Sequence, residues 1–447
     1  MSLSAGHRLP SGAANCAAMP AAERVDRKAV VAATVGCMLE WYDFALYGYF
    51  SVLLSRLFFP AESEWVSLLL AVATFGVGFA MRPVGALVLG TVADRLGRRV
   101  ALNWAISTMV LGTAIITFTP AYATIGLWAP ALIVVARLIQ GFSAGGEMGT
   151  AVAFLIEHAP RQRRMLYASF QQLTQLLALL LGSLVGAAVN GWMSPADLES
   201  WGWRLPFALG LVIGPVGWYI RRHTEEPREF AQVLARRREQ GAEPAASPWS
   251  AVRRYPRETL AGFCITILWT VGTYFFLVYM PTYAVRELHL PATVSLLSNS
   301  AALLTAALFL PLFAIAADRW GPRPILLAAA LAMMALCYPL MAWLAAAPGT
   351  MVLVAVQCIF AVILAAFTGP ASGAIAALFP ADVRSTGVSI AYNFAVTLFG
   401  GFASFIATWL IGVTGSSLAP VWYVGFAAAA AVAGAAIFPE HAGRGRQ

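Results

Sequence analysis

Apolar residues fall along this chain in long blocks, with none of the short alternation that marks a half-buried strand. A helix rising about 1.5 Å per residue needs roughly 20 apolar residues to cross about 30 Å of hydrocarbon. Twelve stretches meet that need: 29–54, 65–92, 100–119, 127–156, 165–191, 203–220, 259–285, 293–317, 325–346, 351–378, 387–413 and 419–438. The pattern predicts an all-α membrane protein with twelve transmembrane helices.

Composition supports the bilayer, because a chain that is 60% hydrophobic and 11% charged, with mean hydropathy +0.73, lacks the polar residues to cover a soluble body. The few positive charges then set an orientation, since cytoplasmic loops retain Lys and Arg. Counting alternate loops from the N-terminus, one side collects Arg8, Arg24, Arg27 and Lys28, Arg95, Arg98 and Arg99, Arg161, Arg163 and Arg164, the arginines from 221 to 257, Arg319, Arg323, Arg384, Arg444 and Arg446. The other side carries Arg56, Arg204 and Arg286. Both termini are expected in the cytoplasm. The net charge of +8 follows from this asymmetry and carries no implication of nucleic-acid binding. No cleavable signal peptide is expected, because the first 28 residues have no apolar core. The five cysteines are scattered without metal-ligand spacing and read as small packing residues, so no metal or other cofactor is expected.

The twelve stretches fall into two groups of six. They predict a tail at 1–28, a six-helix bundle at 29–220, a charged loop at 221–258 containing Arg236-Arg237-Arg238, a second bundle at 259–438 and a tail at 439–447. Between the second and third stretches lies Gly90-Thr91-Val92-Ala93-Asp94-Arg95-Leu96-Gly97-Arg98-Arg99, a tight, charge-dense turn. Ala314 to Arg323, with Asp318, Arg319 and Gly321, repeats it at the same place in the second half. Internal repeats of this kind are what alternating access uses, one half rocking against the other around a site near the midplane.

These residues carry a resemblance. Gly90, Asp94, Arg95, Gly97, Arg98 and Arg99 resemble the signature loop of the major facilitator superfamily. The segments Gly36 to Phe44, Met81-Arg82-Pro83-Val84-Gly85, Tyr122 to Pro130, Arg137-Leu138-Ile139-Gln140-Gly141 through Glu147, and Trp201 to Phe207 resemble its metabolite:proton symporter family. The resemblance implies the major facilitator fold and proton-coupled symport of a small organic anion. Tyr167 to Gln175 resembles the α-ketoglutarate permease branch, and Gln171 also the citrate-type members, which implies a di- or tricarboxylate. Implied partners are that anion, H⁺ and the lipid bilayer, for a monomer in a bacterial inner membrane. Close relatives carry betaine, proline or shikimate, so osmolyte and aromatic-acid symport remain alternatives; the tail from 440 to 447 has no heptads, unlike osmosensing relatives.

The candidate chemistry sits where charge is costly. Glu40 and Asp43 are three residues apart on one helix, and counting from the cytoplasmic end at about 1.5 Å per residue places them roughly 16 and 21 Å deep, with Arg82 at roughly 15 Å. The three are expected to meet near mid-bilayer, and Arg137 falls at similar depth. Asp43 or Glu40 is the proton-carrying group; Arg82 and Arg137 supply the positive field for a carboxylate, whose two oxygens match the guanidinium fork. The alternative is a permanent ion pair that only pins helices. Gln171 and Gln175 share a face and suit carboxylate or hydroxyl oxygens, though glutamines also join helices. Tyr274, Tyr279, Asn299, Gln357, Tyr392 and Asn393 are candidate partners from the second half. Gating is assigned to Asp94, Arg95, Arg98 and Arg99 with Glu147, Glu157 and Arg164, and to Asp318 and Arg319 in the repeat.

One motif points elsewhere. Gly141-Phe142-Ser143-Ala144-Gly145 fits the nucleophile-elbow pattern of a hydrolase, yet it lies inside a predicted helix, and every histidine is at a span end or in a loop. Close helix packing through small residues is the better reading, and a transporter rather than an enzyme is expected.

Overall fold

The structure is a computed structural model that describes residues 38, 40–96, 98–145, 152, 155–156, 159–222, 252–380 and 383–438. The predicted tails, most of the central loop, Glu147 and Glu157 lie outside the described residues. Those described form helices and turns.

The helices occur in the predicted order. In the first half α1 covers 40–58, α2 is the span Glu64–Val92, α3 is Arg98–Phe118, α4 is Trp128–Ala144, α5 is Arg164–Trp192 and α6 is Arg204–Arg222. In the second, α7 is Pro256–Arg286, α8 Ala292–Trp320, α9 Pro322–Ala346, α10 Thr350–Ala377, α11 Arg384–Thr414 and α12 Pro420–Ile437. Eight of these, α2, α5 and α7 to α12, are long and apolar enough to cross a membrane. Among the described residues, α3 and α4 add the shorter apolar helices Asn103–Phe118 and Trp128–Ala144. Helix α1 runs past the predicted Leu54 to Phe58 because Leu57 and Phe58 continue its apolar face until Pro60.

Proline shapes the helices that meet at the centre. Pro83 has no N–H to give the Phe79 carbonyl, and α2 makes a turn at Met81; the Thr397 hydroxyl of α11 donates to that carbonyl at 3.0 Å. Pro281 likewise frees the Leu277 carbonyl of α7, inside a wide π turn at Thr273–Tyr279. Tyr49 Oη from α1 donates to it at 3.0 Å and Asn299 Nδ2 from α8 at 3.1 Å. Each freed carbonyl thus receives a donor from the opposite half.

Contacts between the halves close both ends of the bundle. At the arginine-rich end, the Asp318 carboxylate of α8 accepts from the backbone N–H groups of Met165 (2.8 Å) and Leu166 (3.1 Å) at the start of α5. Ser372 of α10 donates to the Ala168 carbonyl at 3.2 Å. Toward the other end, the hydroxyls of Ser51 and Thr282 lie 2.9 Å apart, Trp65 Nε1 donates to the Thr408 carbonyl at 3.1 Å, and Arg286 pairs with Glu64.

Candidate functional site

The centre of the site follows from how α2 and α4 cross. A Cβ at Gly141 would lie 1.6 Å from the Gly78 carbonyl oxygen, and one at Gly145 would lie 2.0 Å from that of Arg82. No side chain fits at either contact, so the two backbones touch, as the small-residue reading of this motif expects. Ser143 is no nucleophile in this setting, because its hydroxyl donates to the Ala105 carbonyl at 2.6 Å and ties α4 to α3. The crossing brings Arg82 and Arg137 into one aromatic chamber.

Both guanidiniums are almost wholly buried, Arg82 at 2% and Arg137 at 0% exposure, which excludes a solvated role for either. Arg82 Cζ lies 4.4 Å from the Phe79 ring centre, 5.2 Å from Phe44 and 5.3 Å from Trp41. Arg137 Cζ lies 4.4 Å from Phe44, 4.6 Å from Tyr47 and 5.1 Å from Phe75. Phe44 is shared, so the two charges stand on a common ring. These π faces return part of the cost of desolvating the cations.

Hydrogen bonding leaves the same edge of each arginine open. Arg137 Nη1 donates to Gln140 Oε1 at 2.8 Å, while Nε and Nη2 have no hydrogen-bond partner among the described residues. Arg82 likewise has Nε and Nη2 without one; Glu40 Oε1 stands 3.8 Å from its Nη2, an ion pair too long for a hydrogen bond. Nε and Nη2 form the side edge of the planar fork, the pair of parallel donors that a carboxylate accepts. Buried donors without partners are rare in native proteins, so each calls for an explanation.

The carboxylates divide differently from the sequence expectation. Glu40 goes with Arg82, but Asp43 turns to α3, where the Thr113 hydroxyl donates to its Oδ2. Residues three apart differ by about 60° around a helix, enough for two short side chains to face different neighbours. Gln140 Nε2 donates to Thr113 Oγ1 at 3.1 Å, so Asp43 reaches Arg137 through two neutral side chains. Asp43 Oδ1 has no hydrogen-bond partner among the described residues and abuts α6, where a Cβ on Gly210 would sit 2.5 Å from it.

The remaining candidates separate into two groups. Tyr274 joins the chamber, its ring 5.2 Å from Phe79, 6.0 Å from Phe75 and 6.2 Å from Trp41, with a hydroxyl that has no hydrogen-bond partner among the described residues. Gln171 and Gln175 are buried on α5, and their Oε1 atoms have no hydrogen-bond partner among the described residues. Between them Gln172 accepts from Trp269 Nε1 at 3.2 Å, and Trp269 packs on Tyr392 at 5.3 Å. In contrast Asn299, Tyr279, Gln357 and Asn393 join helices. Asn299 donates to Tyr49 Oη at 3.1 Å and to Leu277, Tyr279 Oη accepts from Thr408 at 2.9 Å, Gln357 accepts from Ser298, and Asn393 Nδ2 donates to the Gly145 carbonyl at 3.4 Å.

Of the gating candidates, Asp318 contacts α5 as described, while Arg319 and Arg164 are exposed at the same end. The α2–α3 turn falls at the predicted place, with Arg98 beginning α3; the side chains of Asp94, Arg95, Arg98 and Arg99 lie outside the described residues. The sequence reading missed Thr113 and Gln140, and also the far-end pair of Arg286 with Glu64, which Arg56 approaches at 3.9 Å. Gln140 had a signal in its position three residues after Arg137; Thr113 had none.

Comparison with known proteins agrees with this architecture. The family model described as "Sugar (and other) transporter" matches residues 28–243 and 220–446. A citrate-proton symporter of Klebsiella pneumoniae is 37% identical over 403 residues, covering 90% of this chain and 89% of that protein. An α-ketoglutarate permease of Escherichia coli is 34% identical, covering 89% of this chain and 90% of its own, and a proline/betaine transporter of the same species is 32% identical, covering 89% and 80%. Among solved structures, a D-xylose-proton symporter superposes with a TM-score of 0.74 at 20% identity, covering 93% of this chain and 99% of the other, a likeness of fold. With twelve helices in two halves and relatives of this kind along most of its length, the chain belongs to the sugar (and other) transporter family, in the metabolite:proton symporter branch of the major facilitator superfamily.

Proposed function

We propose that this chain is a proton-coupled symporter that imports a small di- or tricarboxylate of the citrate or α-ketoglutarate kind by alternating access. One observation carries the reading: two buried arginines on one aromatic wall each present an Nε and Nη2 edge without a hydrogen-bond partner among the described residues. Two forks suit two carboxylates. Arg82 and Arg137 bind the anion, Tyr274, Gln171 and Gln175 meet its other oxygens, and Asp43, with Glu40 as the second carboxylate, carries the proton. Protonation balances the negative charge of the cargo, so the loaded site crosses the apolar core near neutrality.

The proline/betaine relative keeps an osmolyte reading in view. A quaternary ammonium would need open aromatic faces. Here the faces of Trp41, Phe44, Phe75 and Phe79 already hold the guanidiniums, which favours the carboxylate. The gate at the arginine-rich end is assigned to Asp94, Arg95, Arg98, Arg99, Glu147, Glu157, Arg164, Asp318 and Arg319. The protein works as a monomer in a bacterial inner membrane with both termini in the cytoplasm.

Uptake into proteoliposomes is the test. Labelled citrate or α-ketoglutarate should accumulate when the outside is acid and stop accumulating when an uncoupler collapses the gradient, with exchange persisting. Accumulation of betaine in place of the carboxylates, or accumulation that follows Na⁺, overturns the reading.

A further inference from the structure

A single chain of hydrogen bonds links Arg137 to Asp43. The donors point one way: Arg137 Nη1 to Gln140 Oε1 at 2.8 Å, Gln140 Nε2 to Thr113 Oγ1 at 3.1 Å, and the Thr113 hydroxyl to Asp43 Oδ2. All four side chains are buried, and each comes from a different helix apart from Arg137 and Gln140 on α4. Aligned donors polarise one another, so the chain carries part of the arginine's field to the carboxylate without letting the two ions touch. A direct pair would occupy the open edge of Arg137 and hold Asp43 ionised.

Thr113 is the joint of this chain. Its hydroxyl has one proton but a second acceptor in reach, the Met109 carbonyl at 3.1 Å. When Asp43 is ionised, the hydroxyl donates to Oδ2. When Asp43 is protonated, the roles exchange: the acid proton sits on Oδ2 and is donated to Thr113 Oγ1, while the hydroxyl turns to Met109. The other oxygen is a poor seat for the proton, because Oδ1 abuts Gly210 and has no hydrogen-bond partner among the described residues. Hydroxyl oxygen has two lone pairs, so the bond from Gln140 survives both states. The only proton gained or lost comes from water and rests on Asp43; Thr113 keeps its own.

We propose that Thr113, seated by Gln140, is the positioning residue that couples the protonation of Asp43 to the anion-binding edge of Arg137. The inference rests on the symport reading given above. Charge change at Asp43 reorients the hydroxyl, and that alters how strongly Gln140 is polarised toward Arg137. The reverse path is equal by linkage: a carboxylate on Nε and Nη2 weakens the field reaching Asp43 and favours its protonation. Among the described residues, the charged and titratable groups around Asp43 are few. Arg137 faces it from α4, and Tyr42 on its own helix is engaged by donating to the Pro206 carbonyl at 2.9 Å. Glu40 pairs with Arg82, α6 offers the backbone at Gly210, and α3 contributes Thr113.

The test compares Thr113→Val, which keeps the shape but loses the hydroxyl, with Thr113→Ser, which keeps the hydroxyl. Gln140→Leu cuts the chain from the other side and serves if the valine variant does not fold. Labelled citrate, or α-ketoglutarate if wild type prefers it, is followed in proteoliposomes as proton-driven uptake against pH and as counterflow without a gradient. Loss of the donor to the ionised carboxylate should move the pH of half-maximal uptake upward by about one unit, a tenfold change in proton affinity. Counterflow should stay within about twofold, and the serine variant should restore the wild-type profile. Unchanged pH profiles in Thr113→Val, or in Gln140→Leu where that stands in for it, overturn the proposal, as does a serine variant that fails like valine. If instead wild type shows no proton-driven uptake, the symport reading itself has failed.

Discussion

An arginine in an apolar interior costs several kcal/mol unless something answers its charge. Among the described residues, Arg137 has three rings, one glutamine and a distant carboxylate, which leaves a fork edge unanswered. Replacing it by glutamine removes that edge and the positive charge. Arg137→Gln should therefore weaken carboxylate binding by about 2 kcal/mol or more, roughly thirtyfold, measured by calorimetry in detergent. Binding as tight as wild type would make Arg137 a structural partner and move the anion site elsewhere. The four charged residues were legible in the sequence because charge stands out in an apolar span. Thr113 and Gln140 were not, since threonine and glutamine occur in membrane helices as ordinary packing groups and only their partners give them a role. The division of Glu40 from Asp43 was also hidden, because spacing fixes a helix face but not the neighbour it meets.

Elements place these residues through backbone contact more than through side-chain packing. At the α2–α4 crossing, glycines at 78, 85, 141 and 145 each face a carbonyl of the partner helix, two of them those of Arg82 and Arg137 themselves. Gly141→Ala puts a methyl group 1.6 Å from the Gly78 oxygen, which no rotamer relieves. Overpacking of this kind costs about 1–3 kcal/mol or more. The variant should melt at lower temperature in detergent and bind carboxylate more weakly, because separating the helices also separates the arginines. A wild-type melting temperature with wild-type affinity would mean that the crossing is loose and does not position the site. Helix number and order were readable because each span needs a run of fixed length. The π turn of α7 and the hydrogen bonds that receive the proline-freed carbonyls were not, since they arise only where the two halves meet.

At the scale of the whole molecule, contacts between the halves lie on both sides of the arginine chamber, and its named side chains are buried from either end. Alternating access requires each set of contacts to part in turn while the other holds. Cross-links test the two ends separately. On the arginine-rich side, a Cβ at Gly373 of α10 would lie 3.3 Å from that of Ala168 on α5; toward the opposite side, a Cβ at Gly48 of α1 would lie 3.9 Å from that of Val278 on α7. Both separations are close to the distance of roughly 3.5–4.5 Å that a disulfide spans. With Cys16, Cys37, Cys264, Cys337 and Cys358 first replaced, the pairs Ala168→Cys/Gly373→Cys and Gly48→Cys/Val278→Cys should each transport when reduced and stop when oxidised. Locking either end traps the carrier, because a site that cannot open on one side can neither load nor release there. Continued turnover with one pair fully cross-linked would show that this end stays shut throughout the cycle, and the rocking of one half against the other would have to be abandoned for a gate confined to the opposite end.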